Sequence, residues 1–599
     1  MRRRIVVRLQ QLSAGLGVLI LGACASPPAQ RPYVVFASAA APVPRPAAAS
    51  AASGGAMPPA VNARPVLAPA PPVLNGPPVT PAIAARFPEP VVSFATPAFE
   101  PGRTAYTTND EMAAILHGLE RSGVDSVLRT DVAVLPLGQS QSGLPIEALA
   151  FKRPPPIVPP APAAPASNAA AAPPPAAAPA RRPAVVIVAG QHGDEPAGSE
   201  ALIVIAQELA AGHLDRVLDQ VDVYLLPRVN PDGAVLGQRD AADGTDVNRD
   251  HLLLRTPEAQ AQARLVRDVA PVVVLDLHEY AVDAGFAAKF GGVQRFDALL
   301  DAATVANLRH FVARAAEEWF RAPLAAGLGA AGFSTEWYYT LAEDPADHKV
   351  SMGSLSPAIG RNADGLKNAV SLLVETRGRG IGRTDFKRRV DVAVVAVRNV
   401  LGNAAEHAAD LVKLRQFVDR DVAAAACQGE AVIEVAPTPS EHALAVLDPD
   451  SGAVRRVTVA WDSTLEMRVL RSRPRPCGYW LAASQGDAVR RLRLLGIEVQ
   501  QLDEGGEVRG ETYSEIGGDL APAAAAGAAR RLRVQTAPVL LDVVAGGYYV
   551  SLEQPLANLA IAALEPESPA GYAAHGVIGS VATEARVLDR PRMRMAGLP

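Results

Sequence analysis

Charge of one sign is what this 599-residue chain has in least surplus: 57 Lys and Arg stand against 62 Asp and Glu, a net charge of -5. Binding a phosphate backbone needs a basic excess, so nucleic acid is excluded as a partner. Cysteine is nearly absent, at three residues, and no CxxC occurs, which argues against thiol redox chemistry. The mostly apolar run at 12–21 falls well short of the roughly 20 residues that span a bilayer, so a permanent transmembrane helix is not expected. No repeat of fixed period is visible. With 49% hydrophobic and 20% charged residues the composition is that of a globular protein, although 53 Pro and 48 Gly require irregular segments. At roughly 150 residues per domain, the length allows two or three domains plus tails.

What is present begins with an address. Arg2, Arg3 and Arg4 precede the apolar run, and the small residues Gly22 and Ala23 follow it, as in a secretory signal over residues 1–23. Leu21-Gly22-Ala23-Cys24 resembles the bacterial lipobox. That resemblance implies a diacylglycerol on Cys24 and, with Ala25 in place of Asp, an exported lipoprotein on the periplasmic face of the outer membrane; a soluble periplasmic or secreted protein is the alternative. Residues 24–88 are Ala- and Pro-rich with few bulky apolar side chains and read as a disordered tether. A second such stretch, 152–183, lies between expected strands at 144–151 and 184–189 and reads as an insertion in a hairpin. In an oxidising compartment Cys427 and Cys477 either pair or remain two buried thiols.

Between the tails, apolar runs alternate with helical patterns. Thr108 or Asn109 caps a helix through Met112, Ile115, Leu116 and Leu119; a helix at 198–211, a strand at 221–226, and a helix opening at Thr256-Pro257 follow. A buried strand at 272–277, a helix at 365–370 and a strand at 372–374 continue the alternation. The expected fold class is α/β, a mixed, largely parallel sheet flanked by helices over residues 89–416. Past residue 417 the texture turns to β-type alternation, at 431–435 and 457–459, with a helix at 487–495 and a strand at 497–502. Residues 417–599 therefore read as a smaller accessory domain.

The chemistry falls at the ends of the expected strands. His192 and Glu195 follow one strand, His278 ends another and Glu375 a third. Open α/β sheets bind ligands at the carboxyl ends of their strands. His, Glu and His are a catalytic zinc ligand set with the fourth position open. A carboxylate outside the metal shell, as Glu375 would be, suits proton transfer.

His192-x-x-Glu195, Asn230-Pro231-Asp232-Gly233, Asp246-Val247-Asn248-Arg249, His278 and Glu375-Thr376-Arg377-Gly378 together resemble the ordered motif string of the M14 zinc carboxypeptidases, over about 106–380 and beginning with Gly138-x-Ser140-x-x-Gly143. The resemblance implies one Zn2+ held by His192, Glu195 and His278, with Glu375 as general acid/base to the zinc-activated water. It implies further that Arg249, assisted by Asn248, grips the substrate's C-terminal carboxylate. Asp246 would orient the first zinc His, and Arg239 would steady the oxyanion. Two departures stand out: Asp250, a carboxylate beside Arg249, and Glu279, a second acid after His278. Tyr280, Tyr338 and Tyr339 are candidates for the family's mobile tyrosine. The substrate is a peptide or peptide-like amide. Cell-wall stem peptides or N-acyl amino acids are alternative substrates for an amidase or endopeptidase, and a non-catalytic envelope-binding lipoprotein is a further reading.

Bland readings accompany the rest. Asp232 and Asp246 also suit turns beside Gly233 and Gly244. His310, His348, His407 and His442 carry no motif. Arg361 reads as a solvated loop residue, with a third anion contact as the alternative, and Trp337, Tyr338 and Tyr339 as core, with a lining of the substrate cleft as theirs.

Overall fold

The structure, a computed structural model, describes residues 74–77, 79–124, 130–154, 182–342, 344, 346–517 and 529–598. The expected signal, Cys24, most of the expected tether and most of the 152–183 stretch lie outside these residues.

Eight strands form the main sheet, in the order Asp131–Gln139, Pro145–Lys152, Asp222–Leu226, Ala184–Ala189, Val273–Ala281, Val370–Arg379, Ala298–Ala302, Thr335–Trp337. The four middle strands, from Asp222–Leu226 to Val370–Arg379, are mutually parallel, and antiparallel pairs flank them, so the sheet is mixed as the alternation implies. Val185 to Val188 are wholly buried, as expected for a strand covered on both faces. Each such side chain contributes roughly 1.5–3 kcal/mol on burial. Helices Pro196–Ala210 and Phe386–Glu406 pack against each other and against Val273–Ala281.

Local signals place several elements. Thr108 and Glu111 form a reciprocal capping box, each backbone N–H donating to the other's side chain at 2.8 and 3.2 Å, ahead of the helix Asn109–Val124. Thr256 caps Pro257–Val269 by accepting from Ala259 N at 3.2 Å. The helix expected at 365–370 instead spans Gly360–Leu366: Asn368 is left-handed at φ 63°, and Val370 is already paired with Val273.

Three expectations change. The 152–183 stretch does not interrupt a hairpin, because Asp222–Leu226 lies between Pro145–Lys152 and Ala184–Ala189; the hairpin partner of Pro145–Lys152 is Asp131–Gln139. The tether read over 24–88 does not extend to 88. Thr80 caps a short helix, Pro81–Ala84, and Ile83 and Phe87 pack with Val293 and Leu447, while Phe87 also lies under the Arg377 guanidinium at 4.1 Å. Two apolar anchors in an Ala/Pro background suffice to dock it. Nor does the chain change texture cleanly at 417, which falls inside the helix Ala408–Ala424.

Beyond that helix, the long strands Glu430–Leu447 and Val454–Pro474 pair in a five-stranded sheet with Val293–Gln294, Val350–Ser351 and Thr340–Leu341, all segments from within 89–416. Trp461, Val459 and Leu444 share a buried cluster with Tyr280, Phe286 and Tyr339. A separate seven-stranded sheet spans Gly478–Leu481 to Met595–Gly597. Two helices that connect its strands reach the preceding part of the chain: Arg491 of Gly486–Leu494 donates to Leu253 O, and Asn558 of Ala557–Leu564 donates to Asn307 O at 2.8 Å. Cys427 and Cys477 form a disulfide that ties the two sheets' connecting segments together.

Candidate metal centre

Parallel register brings the chemistry together. Ala189 pairs with Leu277, and His278 with Glu375, so the three strands end side by side and Gly190 to Glu195 fold over the same edge. The strands run further than the sequence reading has them: His278 and Glu375 lie inside Val273–Ala281 and Val370–Arg379 rather than terminating them. Glu195 is the cap residue of the helix Pro196–Ala210, with Pro196 in its first turn. The loop between is pressed onto Asn230–Gly233. A Cβ on Gly193 would lie 1.8 Å from the Gly233 carbonyl carbon, so only glycine fits at 193. Asn230 Oδ1 accepts from Gly233 N at 2.8 Å, and Asp232 accepts from Ser140 Oγ at 2.6 Å and Ser142 N at 2.9 Å. Asp232 is thus a joint between two of the motifs and not a site residue.

His192, Glu195 and His278 are 3, 4 and 2% exposed and present their ligand atoms to one point. His192 Nδ1 is 2.8 Å from Glu195 Oε1, His278 Nδ1 is 2.7 Å from Glu195 Oε2, and the two Nδ1 atoms are 3.0 Å apart. Each imidazole has a carboxylate at its other nitrogen. His192 Nε2 donates to Asp246 Oδ1 at 3.1 Å, and His278 Nε2 to Asp276 Oδ2 at 3.1 Å. These bonds fix the tautomers so that both Nδ1 atoms carry lone pairs. Two lone pairs and a carboxylate facing one another repel unless a cation lies among them, so the donor set fits Zn2+. Burial pushes the Glu195 carboxyl up, but the two imidazoles override it and hold Glu195 well below the usual carboxylate range. Among the described residues it is the only such cluster. His310, His348, His407 and His442 stand apart; the rings of His407 and His442, for instance, lie against Trp319 and Trp461.

A cavity of about 1070 Å³ opens on the cluster, lined by Arg239, Asn248, Arg249, Tyr338, Arg361 and Glu375 among others. Glu375 is 7% exposed, and its carboxylate makes no hydrogen bond or ion pair among the described residues. Burial raises its carboxyl, and the Glu195 charge adds to this against the pull of His278, His192 and Arg239. Arg239 grips Asp246 Oδ2 with Nε and Nη2 at 3.2 and 2.9 Å and places Nη1 3.1 Å from His192 Nδ1. Although burial favours a neutral Asp246, His192, Arg239 and Arg249 hold it ionised far below the ordinary range. Arg249 is exposed and bonds only its neighbour's carbonyl, Asn248 O, at 2.8 Å. Asn248, expected beside Arg249, commits its amide elsewhere: Oδ1 accepts from Gly360 N at 2.8 Å and Nδ2 lies 3.0 Å from His278 Nε2.

The departures resolve by strand alternation and capping. Asp250 turns away from Arg249 and accepts from Thr256 N and Oγ1 at 2.7 and 2.9 Å. Glu279 points to the opposite face of the strand from His278. There Oε1 accepts from Ala197 N at 2.6 Å, and Oε2 lies 3.1 Å from Arg389 Nη1. Burial, opposed by Arg389 and the Ala197 N–H, raises its carboxyl to about 7. Gly378 makes room for it, since a Cβ there would sit 1.5 Å from Glu279 Oε2. Arg361, read as a solvated loop residue, is 5% exposed and pairs with buried Asp301 at 3.0 Å on the cavity wall. Of the tyrosines, Tyr280 donates to Phe296 O and is buried, Tyr339 packs near Trp461, and half-buried Tyr338 lines the cavity below Arg361.

Sequence reading misses the layer behind His278. Gln191 Nε2 donates to Asp276 at 2.8 Å, and His251 Nε2 donates to Gln191 Oε1 at 2.6 Å. The signal for Asp276 was a carboxylate two residues before a ligand on one strand, hence on the same face. Burial lowers the His251 pKa to about 4, despite Asp364 and Asp276 nearby.

Two outcomes follow for this layer. Asp276→Asn is expected to weaken zinc affinity by about 10–100-fold in chelator competition, with the fold intact by circular dichroism. Because His251 titrates lower folded than unfolded, the unfolded chain binds the extra proton first as pH falls. Stability is therefore complete above about 6.5 and lost towards about 4, by on the order of 3 kcal/mol. Denaturant unfolding of wild type against His251→Gln across that window measures it; parallel curves would refute the assignment.

Comparison with known proteins agrees with this geometry. Residues 130–284, which hold all three ligands, match the zinc carboxypeptidase family, Peptidase M14. Carboxypeptidase 2 of Trichophyton rubrum is 28% identical over 395 residues, 65% of this chain and 73% of that protein. Carboxypeptidase D of Homo sapiens is 32% identical over 131 residues, 16% of this chain and 10% of that protein. Among solved structures, a metallo-carboxypeptidase from Pseudomonas aeruginosa is 20% identical over 50% of this chain and 69% of that one, at a TM-score of 0.34, a likeness too slight to carry an argument. A buried His-Glu-His cluster lies inside the matched segment, and the carboxypeptidase relatives agree with it: residues 130–284 carry a zinc carboxypeptidase domain of the Peptidase M14 type, and the chain is a zinc-dependent metallopeptidase.

Proposed function

We propose that this metallocarboxypeptidase removes the last residue of a peptide, with Glu375 moving the proton and Arg249 holding the departing carboxylate. The observation that carries the reading is the uncommitted, buried Glu375 carboxylate, set across the strand pair from His278 on the wall of the cavity that opens on the ligands.

His192, Glu195 and His278 would hold the zinc, which when bound polarises a carbonyl and lowers the pKa of water towards neutrality. Glu375 accepts the proton of the attacking water and returns it to the leaving nitrogen, a role favoured by a carboxyl raised toward the working pH. Arg239 is the nearest cation to the ligand cluster and stabilises negative charge developing on the carbonyl oxygen; Asp246 fixes its guanidinium for that task. Arg249 extends an unpaired fork into the same cavity and suits bidentate capture of a free carboxylate. Asn248 acts on His278 and on Gly360 N, so it positions the site rather than contacting the substrate. Tyr338 would close over the bound residue. We also read the protein as an exported lipoprotein anchored through Cys24, supported by the lipobox-like Leu21-Gly22-Ala23-Cys24.

Glu375→Gln is expected to keep one zinc per chain by elemental analysis and lose about 10²–10⁴-fold in kcat. Arg249→Gln should raise KM for peptides with a free C-terminus and leave C-terminally amidated peptides equally poor. Unchanged turnover in the first variant removes Glu375 from the chemistry. For the anchor, Cys24→Ser should move the protein from the membrane pellet to the soluble fraction; retention in the pellet argues against lipidation.

A further inference from the structure

We infer that a second cavity beside the ligand cluster is a subsite for anionic groups on the acyl side of the scissile bond. Preferred substrates would then be peptides with acidic residues two or three positions upstream of the bond cleaved. This rests on the carboxypeptidase reading for its polarity: the departing residue occupies the first cavity with Arg249, so the rest of the peptide leaves across the other flank of the ligands.

The second cavity, about 770 Å³, shares His192, Glu195, Arg239 and Arg379 with the first but lacks Arg249 and Glu375. It is unusual in its charges. Two of its arginines are paired with carboxylates, Arg239 with Asp246 and Arg389 with Glu279. Three are not. Arg228 donates to Asn109 Oδ1 and Thr107 O at 2.7 and 3.0 Å, and Arg383 to the carbonyls of Ala105 and Ala98 at 2.9 and 2.8 Å. Arg379, partly exposed, makes no side-chain hydrogen bond, ion pair or ring contact among the described residues. Against these stand three carboxylates in the lining. Glu195 belongs to the ligand cluster, and Asp283 caps the helix Ala284–Phe290 through Phe286 N at 2.8 Å. Asp194 alone remains; the Arg379 charge acts on its carboxyl, but the two form no ion pair among the described residues. A partly desolvated guanidinium without a counter-ion is costly, and a bound carboxylate is what relieves it.

Arg379 is placed to read such a group. It follows Glu375 by four residues on one strand, about 13 Å along it, and lines both cavities. An extended peptide advances about 3.3 Å per residue, which brings the side chains two or three positions upstream within the reach of an arginine.

The test uses the zinc-loaded Glu375→Gln protein and calorimetry. Two blocked-N-terminus peptides share their last two residues and carry either Glu or Gln at the second and third positions upstream of the scissile bond. The Glu peptide is expected to bind about tenfold more tightly at low salt, a gap that narrows at about 0.5 M salt. Adding Arg379→Gln should close it, and Arg379→Lys should keep most of it. Equal affinities for the two peptides, or a gap that Arg379→Gln leaves unchanged, overturn the inference. Should Arg379→Gln not fold, the salt dependence of the Glu-minus-Gln gap decides alone. The carboxypeptidase reading is judged separately by whether wild type releases the final residue from either peptide: release with equal affinities defeats only the subsite, and a gap without release defeats only the reaction.

Discussion

Two imidazole nitrogens and one carboxylate facing each other at 2.7–3.0 Å cannot rest as neighbours unless something positive lies among them. That constraint organises the molecule. Asp246 and Asp276 take the Nε2 protons and so deny each ring the option of turning its N–H inward. Gln191 and His251 hold Asp276, Arg239 holds Asp246, and the glycine contact at 193 keeps the His-to-Glu loop flat against Asn230–Gly233. Binding a divalent ion to such a set contributes directly to folding stability, because the repulsion it removes exists only when the fold is formed.

The acids near the centre have the same chemistry and are separated by environment. Asp246 is ionised because an imidazole and two arginines surround it. Glu279, one residue from a ligand, faces the other side of the strand and meets a helix N-terminus and Arg389. Glu375 has neither a cap to make nor a cation to pair with, and burial raises its carboxyl. A carboxylate that satisfies no one in the resting fold is free to serve a substrate.

Much of this was legible in the sequence where the signal is local. The strand Ala184–Ala189, the Thr256-Pro257 helix start and the alternating α/β order need only periodicity and capping, and the structure has them. The ligands were legible because the motif residues follow or sit on buried apolar strands that lie side by side, although His278 falls inside its strand and not at the end. What escaped depends on partners far along the chain. Arg361 reads as loop until Asp301, sixty residues earlier, is seen to bury it. Asp250 reads as a neighbour of Arg249 until Thr256 claims its oxygens. The segment before residue 88 has the composition of a tether, yet Ile83 and Phe87 find Val293 and Leu447, which no local window shows. The boundary expected at 417 fails to separate the chain for the same reason: the strands after it pair with segments that precede it.

That last pairing bears on recognition. Part of the wall of the first cavity is built from Tyr338 to Leu341 and from Gly353 to Arg361, segments whose regular structure is limited to the two-residue strand Thr340–Leu341 and the start of the helix Gly360–Leu366. The strand Val350–Ser351 is bonded in parallel to Trp461 and Asp462 of the long hairpin, and Tyr339 packs on Trp461. Residues beyond 430 therefore set the shape of a pocket whose chemistry lies before 380. The second cavity is made differently: Gly190 to Glu195, Arg379 and Arg383 sit at the ends of core strands and on the turn that follows, where the main sheet holds them directly. Sequence change in the hairpin should thus reach the first cavity and leave the second alone, so the two cavities beside the ligand cluster are shaped by parts of the chain that can vary independently.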